Sequence, residues 1–223
     1  MPDEKRPLHS IYKDNFFRKR GSLHWRAPIF CGAVEDVFHP ISVLDVGCAT
    51  GDLVKQFRDM KIISDGVEGS SHAVKYAVIS DMHVLDLRED QTIQKDEVEN
   101  FVYWEDSQPK YDGIQVRLND THYDLVCCLE VAEHIEPEYT NMFLKNITHW
   151  SNQILMSIAP PGQKGTYHVN LQEMEYWDEL MFDLDYVRHQ VYAHQIKNKI
   201  YDYRNRQGIS AFYNNLVYYQ KRR

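Results

Sequence analysis

Cysteine is scarce in this sequence: four residues in 223, at positions 31, 48, 127 and 128, with no C-x-x-C pair among them. That spacing argues against a zinc finger, and the four read as small apolar residues of a reducing compartment. No apolar run reaches 18 residues, so nothing is expected to span a membrane. The N-terminus is polar and lacks the apolar core of a signal peptide, which makes the cytoplasm the expected location. Positive charge is also in deficit. The 25 Lys and Arg face 33 Asp and Glu, a net charge of −8 that disfavours indiscriminate binding to nucleic acid or anionic membrane. What remains is an ordinary globular balance, 43% hydrophobic and 26% charged, long enough for a sizeable core. A single domain over 1–223 is expected. Two basic runs stand against the overall charge, RKRGSLHWR at 18–26 and Lys221-Arg222-Arg223, and both read as solvated surface.

The most informative stretch is ISVLDVGCATGDLVKQF, Ile41 to Phe57. Ile41 to Val46 fits a buried parallel strand. Gly47-Cys48-Ala49-Thr50-Gly51 is a turn of small residues, and a helix over about 52–60 follows, with Leu53, Val54 and Phe57 at helical spacing. Strand, small turn and helix make the nucleotide half of a Rossmann-type unit. The glycines allow close backbone approach, and the helix N-terminus offers N–H groups. The spacing is G-x-A-x-G, however, and G-x-G-x-x-G is absent, which moves the reading away from a dinucleotide. A second strand, 62–67, ends at Glu68, where a carboxylate accepts hydrogen bonds from ribose hydroxyls.

Around this unit, residues 1–40 carry aromatic residues among basic ones and a helix from about 27 to 38. Ser70 or Ser71 caps a short helix through Tyr76. A third strand is expected at 83–87. Residues 88–122 hold nine Asp/Glu against four Arg/Lys and read as an acidic insertion. A hairpin with VYW (102–104) and GIQVRL (113–118) as its arms is preferred to GIQVRL as the third strand itself. The fourth strand, 123–130, runs into Val131-Ala132-Glu133-His134. A helix over 139–150, a fifth strand over 153–158, a helix over 172–182 and two final strands near 186–192 and 211–219 complete the reading.

Asp45, the small-residue loop, Glu68 and D-L-V-x-x-x-E-V-x-E-H at 124–134 together resemble class I S-adenosylmethionine-dependent methyltransferases. The finer pattern EVAEH…PGQxGxxHVNxQxxxYW, with the ending AFYNNLVYY, resembles one methyltransferase-domain group within that class. The likeness covers 41–68 and 123–219 and omits 88–122. It implies a Rossmann-like α/β fold: a mostly parallel seven-stranded sheet, order 3-2-1-4-5-7-6, with helices on both faces. It implies S-adenosyl-L-methionine as cofactor. Asp45 would anchor the methionine ammonium, Gly47, Cys48, Ala49 and Gly51 would allow close approach, and Glu68 would take the ribose. Asp86 and Leu87 would meet the adenine, and Leu129 and Glu130 would lie beside the methyl group. The N-terminal segment would act as a lid, with Tyr12 and Trp25 on the substrate side. The acceptor implied is a small molecule or a glycan.

In-line methyl transfer needs alignment and, for a hydroxyl acceptor, a base. Glu130, Glu133, His134 and His168 are the catalytic candidates, with His168 and Asn170 also facing substrate if the loop after strand five covers the same pocket. Glu130, Glu133, His134 and a later His resemble the metal set of small-RNA 2′-O-methyltransferases. His168 follows His134 by only 34 residues, closer than that family places its last ligand, and the acidic segment discourages RNA. The sequence reading therefore assigns no metal and disfavours nucleic acid; an RNA methyltransferase, or a non-catalytic cofactor-binding partner subunit, stands as the alternative, and the oligomeric state is left open.

Overall fold

The computed structural model describes residues 6–92, 101–105, 108–111 and 121–223, with side chains for 6–92 and 121–223. Among the described residues nine strands form one sheet: β1 (Ser42–Val46), β2 (Ile63–Glu68), β3 (Met82–Val84), β4 (Phe101–Glu105), β5 (Gln108–Tyr111), β6 (Leu125–Leu129), β7 (Gln153–Ser157), β8 (Tyr186–Arg188) and β9 (Leu216–Lys221). Their order is β5-β4-β3-β2-β1-β6-β7-β9-β8. Without the β4–β5 hairpin this is the expected 3-2-1-4-5-7-6. β1 pairs in parallel with β2 on one side and β6 on the other, and β9 runs antiparallel between β7 and β8.

The central strands are apolar almost throughout because both faces are covered. Side chains alternate between two cores. Leu44, Val126, Cys128 and Met156 pack on one face with Phe143 and Ile147 of α5 (Thr140–His149) and Trp177 of α6 (Met174–Asp183). Val43, Leu125, Cys127 and Leu155 pack on the other. That second face is covered by α3 (Arg26–Phe38), α4 (Asp52–Asp59) and α7 (Gln190–Lys199), through residues such as Phe30, Phe57 and Ile196. A smaller third cluster holds Tyr12, between α1 (Leu8–Ile11) and α2 (Asp14–Arg20), and Phe17 of α2 against Cys48, Val54 and Val74. The N-terminal segment is thereby fixed over the β1 loop. Among the described residues no helix is long and apolar enough to cross a membrane.

Several boundaries differ from the sequence reading. The strand expected at 186–192 stops at Arg188, and α7 begins at Gln190, burying Ala193 and Ile196. AFYNNLVYY divides between α8 (Ser210–Asn215) and β9. Its aromatic and β-branched content read as strand throughout, yet packing Phe212 onto Phe30 makes the first part helical. The stretch 71–76 forms 3₁₀ turns without a side-chain cap at Ser70. In the hairpin, VYW lies in β4 as expected, but its partner is β5 at 108–111; GIQVRL falls outside the described residues. The start of the acidic segment is anchored to the core. Arg88, 4% exposed, pairs with Asp86 and Glu136, and Asn146 bonds the backbone of Leu87, Glu89 and Gln91.

Candidate active site

The carboxyl ends of β1, β2, β6 and β7 open on one cavity of about 830 Å³. Strand order reverses between β1 and β6, the point at which open α/β sheets leave a crevice for ligands. Asp45, Gly47, Cys48, Ala49, Glu68 and Leu87 line one side of it; Leu129, Glu130, His134 and His168 line the other.

Asp45 lies one residue before the end of β1 and is only 3% exposed. Burial pushes that carboxyl up to about 8, against the opposing pull of Arg26. Gly47 has φ +73°, and a Cβ there would overlap the Val131 side chain, so glycine is what allows the β1 loop to touch the β6 loop. The loop is no phosphate cradle. The N–H groups of Gly47 and Cys48 donate to Val67 O, that of Ala49 to Glu68 Oε2, and that of Gly51 to Cys48 O. The second Glu68 oxygen accepts from Ser70 N–H at 3.0 Å. Burial raises the Glu68 carboxyl above its ordinary value while these N–H groups oppose the rise.

Four expected cofactor or substrate contacts lie elsewhere, Asn170, described below, among them. Gly51 does not line the cavity: a Cβ on it would meet the Ile79 side chain at 2.7 Å, so the space it spares belongs to Ile79. The Asp86 carboxylate is occupied by Arg88, which donates from Nε at 2.9 Å and Nη2 at 2.8 Å, and only its neighbours Leu85 and Leu87 face the cavity. Trp25 packs at the start of α3 against Tyr203 and beneath Arg206, away from the cavity. Tyr12 does line it, with its ring edge-on to His134 at 5.6 Å between centroids. The Tyr12 hydroxyl is buried without a hydrogen-bond partner among the described residues, and burial pushes its pKa far up.

On the acceptor side the candidate cluster divides. Glu130 has φ 55° and accepts from Gln163 Nε2 and Asn215 Nδ2, each at 3.0 Å. Glu133 lies behind the cavity wall and is 0% exposed. Neither of its oxygens makes a hydrogen bond with a described residue, although the N–H groups of Glu133 and Ala159 lie near enough to favour its charge. Burial, then the Glu130 charge, push its carboxyl up to about 8. Burial lowers His134 to about 4. The His134 and His168 rings meet edge to face at 4.9 Å. Asn170 is buried and serves the scaffold: its Nδ2 donates to Thr140 Oγ1, and its N–H and that of Val169 donate to Glu133 O. Those bonds bring the β7 loop onto the β6 loop and so carry His168 to His134.

A family model described as a methyltransferase domain matches residues 23–195. The chain belongs to the methyltransferase-domain family. Among solved structures, the plantazolicin methyltransferase BpumL with SAH is similar, with a TM-score of 0.53 and 12% identity over 100% of this chain and 92% of that one. Magnesium protoporphyrin IX methyltransferase from Synechocystis PCC 6803 with bound SAH gives 0.50 and 16% over 82% and 84%. An O-methyltransferase from a trans-AT PKS multienzyme of Brevibacillus brevis gives 0.50 and 15% over 99% and 81%. These likenesses are of fold. No curated protein matches by sequence.

The methyltransferase cavity also holds residues that the sequence did not single out. Arg20 and Arg26, in the run read as solvated surface, both line it. Arg20 lies over Phe16, and Arg26 packs on Phe212. The alternation of basic and aromatic residues at 12–26 was the available signal. Gln163 and Asn215 buttress Glu130 and each other at 2.9 Å, and both sat inside quoted motifs without an assigned role.

Proposed function

We propose that this methyltransferase moves the methyl group of S-adenosylmethionine to an oxygen or nitrogen of a small-molecule or glycan acceptor. One observation carries the donor: two carboxylates, the buried Asp45 and the half-buried Glu68, flank a loop whose N–H groups are spent internally. Such a site suits an ammonium and ribose hydroxyls and offers little to a pyrophosphate. The bound SAH of the similar structures supports the same reading. Asp45 takes the methionine ammonium, Glu68 the ribose, and Leu87 the adenine face. The acceptor enters between Tyr12 and the two histidines. Its lone pair attacks the methyl carbon, the C–S bond breaks with its electron pair going to sulfur, and the acceptor proton leaves to His134 or His168. With its net charge of −8 the chain is a poor partner for a polyanionic nucleic acid, and its buried free thiols fit a reducing compartment such as the cytoplasm.

Calorimetry tests the donor. SAH should bind one per chain, and Glu68→Ala should weaken it strongly. Binding of NAD instead, or of neither ligand, would overturn the reading. Labelled S-adenosylmethionine screened against metabolites, nucleotide sugars and RNA would then define the acceptor; transfer to RNA alone would refute the small-molecule half.

A further inference from the structure

On the acceptor side a buried carboxylate and two imidazoles converge. Glu133, His134 and His168 each offer a donor atom, and these atoms all lie within 4.8 Å of one another. Three independent features of the scaffold support a shared ligand. His134 Nδ1 is 3.1 Å from Tyr167 O and His168 Nδ1 is 3.0 Å from Gln163 O. Carbonyl oxygens only accept, so each Nδ1 carries the hydrogen and each Nε2 presents a lone pair, the arrangement by which metal-ligating histidines are oriented. Glu133 is fully buried with both oxygens unbonded to any described residue, a costly state that a cation relieves. The His168 ring covers the place a Cβ of residue 165 would take, so Gly165 is what lets the second imidazole in.

We propose that Glu133, His134 and His168 form a binding site for one divalent transition-metal ion at the floor of the cavity. Two nitrogens and one oxygen suit the manganese-to-zinc series better than magnesium or calcium, which favour all-oxygen shells. Ligands about 2.1 Å from an ion lie about 3–3.5 Å apart, so the three donors draw together by roughly an ångström on binding. Glu130 stays outside the set, held by Gln163 and Asn215. His134 and His168 line the cavity while Glu133 lies behind it, so the remaining coordination positions face the acceptor space. On the function proposed above, those positions take an acceptor hydroxyl, whose acidity a bound cation raises; with both Nε2 lone pairs on the ion, its proton then passes to water and not to an imidazole.

The test uses the full chain, stripped with EDTA and titrated with Co²⁺. One ion per chain should bind, with the visible absorption of nitrogen- and oxygen-ligated cobalt, and Mn²⁺ followed by electron paramagnetic resonance should give the same stoichiometry. Glu133→Gln and His168→Ala should each weaken Co²⁺ about tenfold or more. His72→Ala, which removes a surface imidazole paired with Asp14, should leave it unchanged. Where Glu133→Gln fails to fold by circular dichroism, the partly exposed His168 decides. A wild-type chain that binds no ion, or an ion indifferent to His168→Ala, overturns the site. SAH calorimetry on the same samples separates the two claims. SAH binding without metal removes only the cation, and metal binding without SAH removes only the donor assignment.

Discussion

The donor half of the cavity, after β1 and β2, and the acceptor half, after β6 and β7, treat their carboxylates differently. Glu68 has a backbone N–H on each oxygen, and Asp45 lies in the field of Arg26. Glu133 has no hydrogen bond from a described residue, and the weak pull of Arg20 is outweighed by burial and by the Glu130 charge. A carboxylate already bonded within the protein can hold a ligand in fixed geometry. One left without partners stays buried only when a proton or a cation neutralises it. The donor half is thus a finished binding surface, and the acceptor half keeps its capacity for the reacting groups.

The largest effect should come where the halves touch. Gly47→Ala forces a side chain into Val131 at φ +73°. Left-handed strain and overpacking together should cost about 2–4 kcal/mol. A thermal melt should show the loss, together with weaker SAH binding; an unchanged melt would mean that the loops are not locked together there.

Next come substitutions that separate the halves. His168→Ala should lower turnover about 10²-fold while SAH affinity stays within a few-fold. Asp45→Asn should do the reverse, weakening SAH about tenfold or more because a charged hydrogen bond is lost. If both variants lose SAH binding equally, the division into halves fails.

The pH dependence sharpens the comparison further. The Asp45 carboxyl is raised to about 8, so its proton is held more tightly in the folded chain than in the unfolded one. Its contribution to stability is complete below about pH 4 and is lost as pH rises through about 8. The ligand-free protein should therefore lose stability across that window, and Asp45→Asn should remove this part of the slope. SAH affinity should move the other way. The ammonium needs the ionised carboxylate, so binding should weaken by up to about tenfold for each pH unit below about 8. Calorimetry between pH 6 and 8 checks the sign.

The smallest effect should follow from replacing residues 93–120 with a short linker. SAH affinity should stay within a few-fold, because the anchored residues Arg88 and Gln91 are kept. Loss of binding in a still-folded variant would place part of the donor site in that segment.

Much of the donor side was legible because its determinants are local. Ile41 to Gly51 encode a strand and its turn by apolar run and small residues, and Glu68 follows one strand later. The same local logic misled where packing decides: nothing near Gly51 in sequence announces Ile79, and Asp86 gave no sign that Arg88 would occupy it. RKRGSLHWR looked like surface because charge usually is, but α2 and α3 fold Arg20 and Arg26 over the cavity.

The sequence by itself determined the α/β alternation, the sheet order through its resemblance, and which residue types carry the chemistry. Only the tertiary structure decided which of them meet. Glu130 and Glu133 are three residues apart, yet the left-handed turn at Glu130 and the bonds from Val169 and Asn170 to Glu133 O send them to different partners. His134 and His168 are 34 residues apart and end in ring contact, because parallel β6 and β7 bring their two following loops side by side. Spacing along a chain fixes local geometry; convergence across a sheet depends on which strands pair.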